Sequence, residues 1–283
     1  MSIDIHYSKL TNSHKKKIIL FFIIVICLFF VNLIFNHHEQ NSILKNNNYF
    51  IAHAGGQIHN HNYTNSKEAL IQSLNNGYKY IELDLALTKD SILVCVHEWK
   101  QFNIITGSDS LHFIPTIEEF KKRKIHNSLS PITFKEALNL KDRHSYIIVT
   151  DKISDPNILN KYVPNIEKRN EIMVEAFSLK DYYNLKKHKY IPMLSLYKMS
   201  FQDIFNISLL NFKDSNPIEW IVVPNINKYS TSNITPTKLS ILKFLTMGKV
   251  KVAMYSSNDS IFFKKHLGKS IDLIYTDNHK FNF

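Results

Sequence analysis

Four side chains in one stretch of this chain, His53, Glu82, Asp84 and His97, are of types that do acid–base and metal chemistry. Glu82 and Asp84 stand two apart in the apolar run Tyr80–Leu85. In a strand, residues two apart share a face, so the two carboxylates project together while Ile81 and Leu83 turn away. Neighbouring carboxylates repel each other and need a cation, a shared proton or open water. His53 follows the apolar run Tyr49–Ala52 and precedes Gly55-Gly56. His97 ends the run Ile92–His97, joined to the acidic run by the polar turn Thr88-Lys89-Asp90-Ser91. A hairpin with its tip near Asp90–Ser91 places position 84 opposite position 97, where Cβ atoms lie about 4.5–5.5 Å apart. One pocket then holds both histidines and both acids, which suits metal-assisted cleavage with histidine as acid and base.

The elements that would carry these groups follow from the alternation of the chain. Apolar runs recur at Tyr49–Ala52, Tyr80–Leu85, Tyr146–Thr150, Ile172–Phe177, Ile191–Leu196, Trp220–Val223, Lys251–Tyr255 and Ile271–Tyr275. Such near-continuous apolar strands suit a parallel sheet buried on both faces. Eight of them alternating with helical stretches predict an α/β fold, a closed (β/α)8 TIM barrel. Ile92–His97 is left over as the hairpin arm. Asn65 or Ser66 can cap a helix over Lys67–Asn75. Thr133 with Glu136 forms a capping box for Phe134–Leu140. Ser257 or Asn258 precedes a helix over Ile261–Leu267. The segment Thr106–Lys141 interrupts the alternation with two proline-started helices, either as a substrate-facing lid or as packing over the barrel.

The N-terminal part reads differently. Ile18–Phe35 is apolar apart from Cys27 and Asn32 and as a helix spans about 27 Å, close to a bilayer core of about 30 Å. Lys15–Lys17 precede it and a polar stretch follows, which places the N-terminus in the cytoplasm and the rest outside. A cleaved signal peptide needs a small-x-small site, which the chain after Leu33 does not offer. The expected order is therefore a cytoplasmic N-terminus over 1–17, one transmembrane helix over 18–35, a polar tether over 36–48 and a barrel over 49–283. The 283 residues suit one such barrel plus this appendage. Lys and Arg number 35 against 24 Asp and Glu, a net charge of +11. That excess favours anionic partners such as a membrane surface or a phosphate-bearing substrate, or reflects a lysine-rich solvated surface. No basic array interleaved with aromatics points to nucleic acid. Two cysteines, Cys27 and Cys95, allow no zinc cluster, and Cys95 reads as a packing residue.

The ordered motifs His53-Ala-Gly-Gly, Thr64-Asn65-Ser66-Lys-Glu-Ala, Gly77, Glu82-Leu-Asp84, Thr88-Lys-Asp and Val94-Cys-Val-His97-Glu-Trp resemble the glycerophosphodiester phosphodiesterase family. The resemblance implies a (β/α)8 barrel, two catalytic histidines at His53 and His97, and a divalent metal held by acids. It implies a third ligand at the end of the third barrel strand, where Asp151 stands. The family places a lysine two residues after that acid. Here Lys152 follows at once and Ile153 occupies the lysine position; Lys152 is a candidate phosphate contact, although adjacent strand residues point to opposite faces. The family's arginine after the first histidine is Ala54, and its Glu-Asn-Thr is Thr64-Asn65-Ser66. Asn65 is then a substrate or metal-site contact, or only a helix cap. Tyr255 matches a strand end where an aromatic residue lines the site, with core packing as the alternative. His59 and His61 read as solvated loop residues and Glu98 as a hydrogen-bonded neighbour of His97.

These expectations combine into one reaction. A phosphodiester is a monoanion whose barrier rises as negative charge builds at phosphorus. One divalent cation held by Glu82, Asp84 and Asp151 offsets that charge, and hard carboxylate ligands suit Mg2+ or Ca2+ better than zinc. Histidine near neutral pH both takes and gives protons. The chain is thus expected to cleave a glycerophosphodiester or related envelope phosphodiester as a single-pass membrane protein with its catalytic domain outside the cytoplasm. Release of a cyclic phosphate is one alternative. A non-catalytic barrel that binds an anionic head group or envelope polymer is the other, motivated by Ala54, Thr64 and the displaced Lys152.

Overall fold

The apolar runs become strands in the computed structural model, which describes residues 47–108, 110–142, 144–213, 217–225 and 233–277. All of these lie in the second of the two units into which the chain divides, Ile43–Phe283. The expected cytoplasmic segment 1–17, the apolar run Ile18–Phe35 and the tether up to residue 46 lie outside the described residues. Among the described residues no helix is long and apolar enough to cross a membrane.

Eight strands run parallel and close on themselves. They are β1 (Phe50–Ala52), β2 (Tyr80–Leu87), β4 (Ile147–Asp151), β5 (Ile172–Ala176), β6 (Ile191–Ser195), β7 (Trp220–Val223), β8 (Lys251–Met254) and β9 (Leu273–Thr276). β1 pairs with β9 on one side and β2 on the other, and the rest follow in the order β2-β4-β5-β6-β7-β8-β9. The barrel predicted from alternation is the observed fold. The strands are largely apolar on both faces, as strands covered on both sides are, with the acids of β2, β4 and β5 as exceptions. Outward residues such as Phe50, Ile81, Leu83, Ile148 and Val174 meet the helices. Inward residues Ile51, Val149, Met173, Met193, Val222 and Tyr275 fill the barrel. Register sets Glu82 beside Val149 and Asp84 beside Asp151, so the acids stand on the inward face, in and above the apolar filling.

The helices are α1 (Lys67–Asn75), α2 (Trp99–Ile105), α3 (Ile117–Lys122), α4 (Phe134–Lys141), α5 (Pro156–Leu159), α6 (Ile166–Arg169), α7 (Leu179–Lys187), α8 (Phe201–Lys213), α9 (Pro236–Leu245) and α10 (Ser260–His266). Of the two candidate caps for α1, Ser66 serves: its side chain accepts from the Ala69 N–H. Thr133 and Glu136 form the expected capping box of α4. At α10 the cap is Asp259, which accepts from Ile261 and Phe262, in place of Ser257 or Asn258.

The hairpin differs from its predicted register by one residue. β3 (Leu93–Cys95) pairs antiparallel with β2 as Leu85 with Cys95 and Leu87 with Leu93, and the Val96 N–H donates to the Asp84 carbonyl at 2.8 Å. Asp84 therefore faces Val96, and His97 lies one step beyond. The cause is the loop, which is odd in length and centred on Asp90. Thr88 Oγ1 donates to Asp90 Oδ1 at 2.7 Å and accepts from the Ile92 N–H, while Ser91 takes φ +62°. A one-residue slip reverses side-chain faces in a ladder, but His97 has left the ladder and is placed by the chain beyond it.

The interrupting segment packs. Phe102, Phe120, Ile125 and Leu129 form a separate apolar cluster with Val94 and Val96 of the arm and with Ile58 and Ala69. Of the two readings of Thr106–Lys141, packing is the one these contacts support, with Ile132, Phe134 and Ala137 in the barrel's outer core and Phe120, Ile125 and Leu129 over the hairpin arm. Cys95 is buried and free.

Candidate active site

Glu82 and Asp84 are the third and fifth residues of β2, each 2 % exposed, and Asp151 ends β4 beside them. One oxygen from each of the three lies within 4.8 Å of the others. At an effective dielectric near 20, two unit charges about 4 Å apart repel by about 4 kcal/mol, so three ionised acids this close need a counter-charge. Burial, then Asp84 and Asp151, pushes Glu82 well above the ordinary carboxylate range. Burial, then Asp84 and Glu175, does the same to Asp151. Asp151 Oδ1 is buried with no hydrogen-bond partner among the described residues. A buried carboxylate oxygen without a partner, on an acid clustered with two others, is what a hard divalent cation needs, and the three residues fit one.

The acids are held from outside the cluster. The Ala54 N–H donates to Glu82 Oε2 at 2.7 Å from a residue at φ +48°. Asn65 clamps Asp84 both ways: its Nδ2 donates to Asp84 Oδ2 at 2.8 Å and its Oδ1 accepts from the Asp84 N–H at 3.0 Å. Asn65 thus orients an acid, and the helix cap is its neighbour. Lys152 reaches Asp84, with Nζ 3.9 Å from Oδ1. Alternation had set Lys152 on the opposite face from Asp151. The chain bends instead: Lys152 takes φ +63°, the Ile153 N–H donates to the Asp151 carbonyl at 2.7 Å, and this tight turn re-aims the side chain.

The histidines sit at the rim. His53 Nδ1 lies 3.0 Å from Asp277 Oδ1, and the Asp277 N–H donates to Asn258 Oδ1. A carboxylate on Nδ1 fixes that nitrogen as the protonated one and leaves Nε2 to accept a proton. His97 Nδ1 lies 3.1 Å from Gln101 Oε1. Both imidazoles meet the ring of Tyr63 edge-on, His53 at 4.6 Å and His97 at 5.5 Å between centroids. A cavity of about 650 Å³ opens at the other end of the barrel, among Lys79, Lys141, His144 and Lys168. Its Lys141 and Lys168 are paired with Glu171 and Asp142, so the chemistry-bearing cluster is the one at the C-terminal ends, where barrels of this kind carry their sites.

The sequence profile of the Glycerophosphoryl diester phosphodiesterase family matches residues 56–278. The chain belongs to that family. Family members hydrolyse phosphoric diesters, and this phosphodiesterase carries the acidic cluster for a divalent metal. Solved structures share the fold at low identity. A glycerophosphoryl diester phosphodiesterase from Parabacteroides distasonis is 17 % identical, with a TM-score of 0.60 over 84 % of this chain and 88 % of its own. One from Thermotoga maritima is 18 % identical, with a TM-score of 0.61 over 82 % and 95 %. An Oleispira antarctica phosphodiesterase, solved with its product sn-glycerol-3-phosphate, is 15 % identical, with a TM-score of 0.60 over 81 % and 92 %. No curated protein matches the sequence.

In this phosphodiesterase the structure brings His53, Glu82, Asp84, Asp151, Asn65 and Lys152 to one end of the barrel, with His97 joined to His53 through Tyr63. Tyr255 is there too, donating its hydroxyl to Glu175. Its ring tilts against Tyr275 at 5.2 Å. His61, read as solvated, is half-buried and stacks on His126 at 3.7 Å between ring centroids. Two residues, Tyr63 and Glu175, escaped the sequence reading, and the pairing of the strand-end Asp277 with His53 is supplied only by the closure of the barrel. Tyr63 lies in a loop. Glu175 carried a signal: it shares parity with inward Met173, and continuing the β4–β5 register sets it beside Asp151. Reading the strand end at Phe177 passed over it. Glu175 is fully buried and accepts from the hydroxyls of Tyr255 and, at 2.7 Å, Tyr275.

Burial pushes Glu175 from an ordinary 4.5 up to about 7, against the pull of the two phenols. The folded protein binds this proton more tightly than the unfolded chain, so stability falls as pH rises from about 4.5 to about 7. In excess chelator the melting temperature should drop across that window. Glu175→Gln keeps an acceptor for one tyrosine and turns its NH2 to the other, but it carries no titrating group and should flatten part of the drop, with on the order of 3 kcal/mol at stake. Parallel melting curves from pH 5 to pH 8 for the two proteins would argue that Glu175 never ionises in place.

Proposed function

We propose that this chain is a membrane-held, metal-dependent phosphodiesterase in which His53 and His97 are base and acid toward a glycerophosphodiester. The observation that carries the reading is the cluster of Glu82, Asp84 and Asp151 with its orphaned Asp151 oxygen, under a histidine whose Nδ1 is held by Asp277. When bound there, Mg2+ or Ca2+ supplies a Lewis acid for a phosphoryl oxygen.

The remaining work falls to the chain's own groups. His53 Nε2, opposite the nitrogen on Asp277, takes the proton from the attacking hydroxyl. A new P–O bond forms as the bond to the leaving alkoxide breaks, and His97 gives that oxygen its proton. Lys152 supplies the positive charge for phosphate that an arginine at position 54 supplies in the family pattern. Tyr255 walls the pocket from the far side. The short reach of Lys152 to Asp84 and the Asn65 clamp favour catalysis over a binding-only barrel. The Oleispira phosphodiesterase holds sn-glycerol-3-phosphate as product, which supports the same product class here. Phosphorus NMR of a glycerophosphodiester digest should show a phosphomonoester. A cyclic phosphate that persists would mean that a neighbouring substrate hydroxyl attacks and water does not follow. No phosphorus product at all, with metal present, would sink the assignment.

The proposed placement is 1–17 in the cytoplasm, 18–35 across the membrane, 36–48 as tether and 49–283 outside. It is supported by the apolar run Ile18–Phe35, which holds no charged residue, and by Lys15–Lys17 on its N-terminal flank. The tether reaches about 45 Å when extended, which keeps the site at the membrane and favours lipid-derived or envelope glycerol-phosphate substrates. A reporter active only in the cytoplasm, fused after Phe283, should be silent; strong signal would refute this topology.

A further inference from the structure

Helix α8 is apolar on two sides. Ile204 and Ile207 are buried against the barrel, as any barrel helix requires. Phe201, Phe205, Leu209 and Phe212 recur at helical spacing along another face, and there Phe201 is 65 %, Phe205 58 % and Phe212 82 % exposed. A helix that is apolar all round is ordinarily covered all round. A stripe of this size on one helix is more than the scattered apolar residues every surface carries.

The stripe continues into the mouth of the site. α8 starts at the barrel end where the carboxylates lie, just after Ser195 of β6. Tyr197, between strand and helix, is 63 % exposed. β6 is hydrogen-bonded to β5, and Phe177, which follows β5 two residues beyond Glu175, is exposed as well. The Phe201 ring lies 5.2 Å from the Lys238 ammonium, which is itself bonded to the carbonyls of Met199 and Asn233, so this ring is fixed in place. Exposed Lys180 and Lys198 flank the aromatics. The nearby acids Asp181 and Asp203 are engaged by the cap residues Ser178 and Ser200.

We propose that this face lies on a bilayer with anionic head groups, so that the catalytic mouth takes amphiphilic phosphodiesters from the membrane plane. Three observations select a lipid surface as the occupant. Aromatic and aliphatic side chains flanked by lysines are the composition of an interfacial helix. The net charge of +11 complements anionic lipid. The apolar run Ile18–Phe35 and its short tether would hold the barrel within reach of one. The inference rests on the membrane placement proposed above and adds an orientation and a substrate form to it. The tether joins the barrel at β1's start, the end opposite the mouth, so anchoring alone does not turn the site toward lipid; the aromatic face does.

The test uses the full chain in vesicles of phosphatidylcholine and phosphatidylglycerol, with and without bromine on the acyl chains. Tryptophan is introduced by Phe201→Trp or Phe205→Trp and, on the opposite wall of the barrel, by Ile71→Trp in α1. Emission is read against the common background of Trp99 and Trp220. An interfacial side chain buried about 5–10 Å deep lies within reach of the bromines, so emission from the first two variants should fall roughly two-fold or more while Ile71→Trp is unaffected. Equal quenching at all three positions, or none at the first two, overturns the proposal. So does a concentration-dependent dimer that Phe205→Ser abolishes, which would make a second copy the occupant. Flotation separates the two readings. A chain that does not float with vesicles refutes the membrane placement and this inference together. A chain that floats without site-selective quenching refutes this inference alone. Neither readout needs catalysis.

Discussion

Asp84→Asn lowers kcat on a glycerophosphodiester by about 10³ or more, equivalent to roughly 4 kcal/mol of transition-state stabilisation, and removes tight Mg2+ or Ca2+ binding in calorimetry. The effect is expected to be this large because Asp84 does three things at once. It offers an oxygen to the cluster with Glu82 and Asp151, it is held both ways by Asn65, and its other oxygen meets Lys152. The amide can keep its oxygen toward Asn65 only by turning its NH2, a donor and no metal ligand, toward Lys152 and the other two acids. Excess chelator on the unaltered protein should produce a similar loss, and chelator should add little to the variant. Full activity of the unaltered protein in chelator would remove the metal from the reaction.

His53→Ala lowers kcat by about 10²–10⁴, the range of a positioned acid or base, with KM little changed because the loss falls on the transition state. Metal binding stays intact, which separates this variant from Asp84→Asn. His97→Ala behaves alike. Asp277→Asn should give a smaller loss in kcat with KM little changed, because Nδ1 of His53 loses the carboxylate that orients the ring. A His53→Ala protein with near-normal kcat would transfer the role of base to another group, and His97 would be the first to examine.

What was legible in advance follows a physical division. The strands were legible because inward and outward burial leaves near-continuous apolar runs, and the pair Glu82 and Asp84 because strand alternation is rigid. The hairpin register was off by one because Thr88 and Asp90 tie a five-residue turn whose parity composition does not reveal. Lys152 was left in doubt by the same alternation, which a single left-handed residue then broke. Asp277 pairs with His53 across the closure of the barrel, and no local pattern encodes a partner that distant in sequence. Glu175 was hidden differently: an acid inside an apolar run, visible only by counting parity from Met173. The separate roles of Asn65 and Ser66 depended on which side chain turned toward Asp84, a matter of tertiary geometry.

The closure of the barrel also sets a timetable. Phe50 of β1 pairs with Ile274 of β9, roughly 220 residues later in synthesis. At about 5–20 residues per second a ribosome needs on the order of ten to forty seconds to cover that interval. β2 can cover one edge of β1 early, but the other edge waits for nearly the whole chain, and an unpaired edge strand is a template for unwanted pairing. The same late strand brings Asp277 to His53, so that pair cannot form until nearly the whole chain has been made. Loss of the last strand should leave one edge of β1 open and remove the carboxylate that holds the His53 ring.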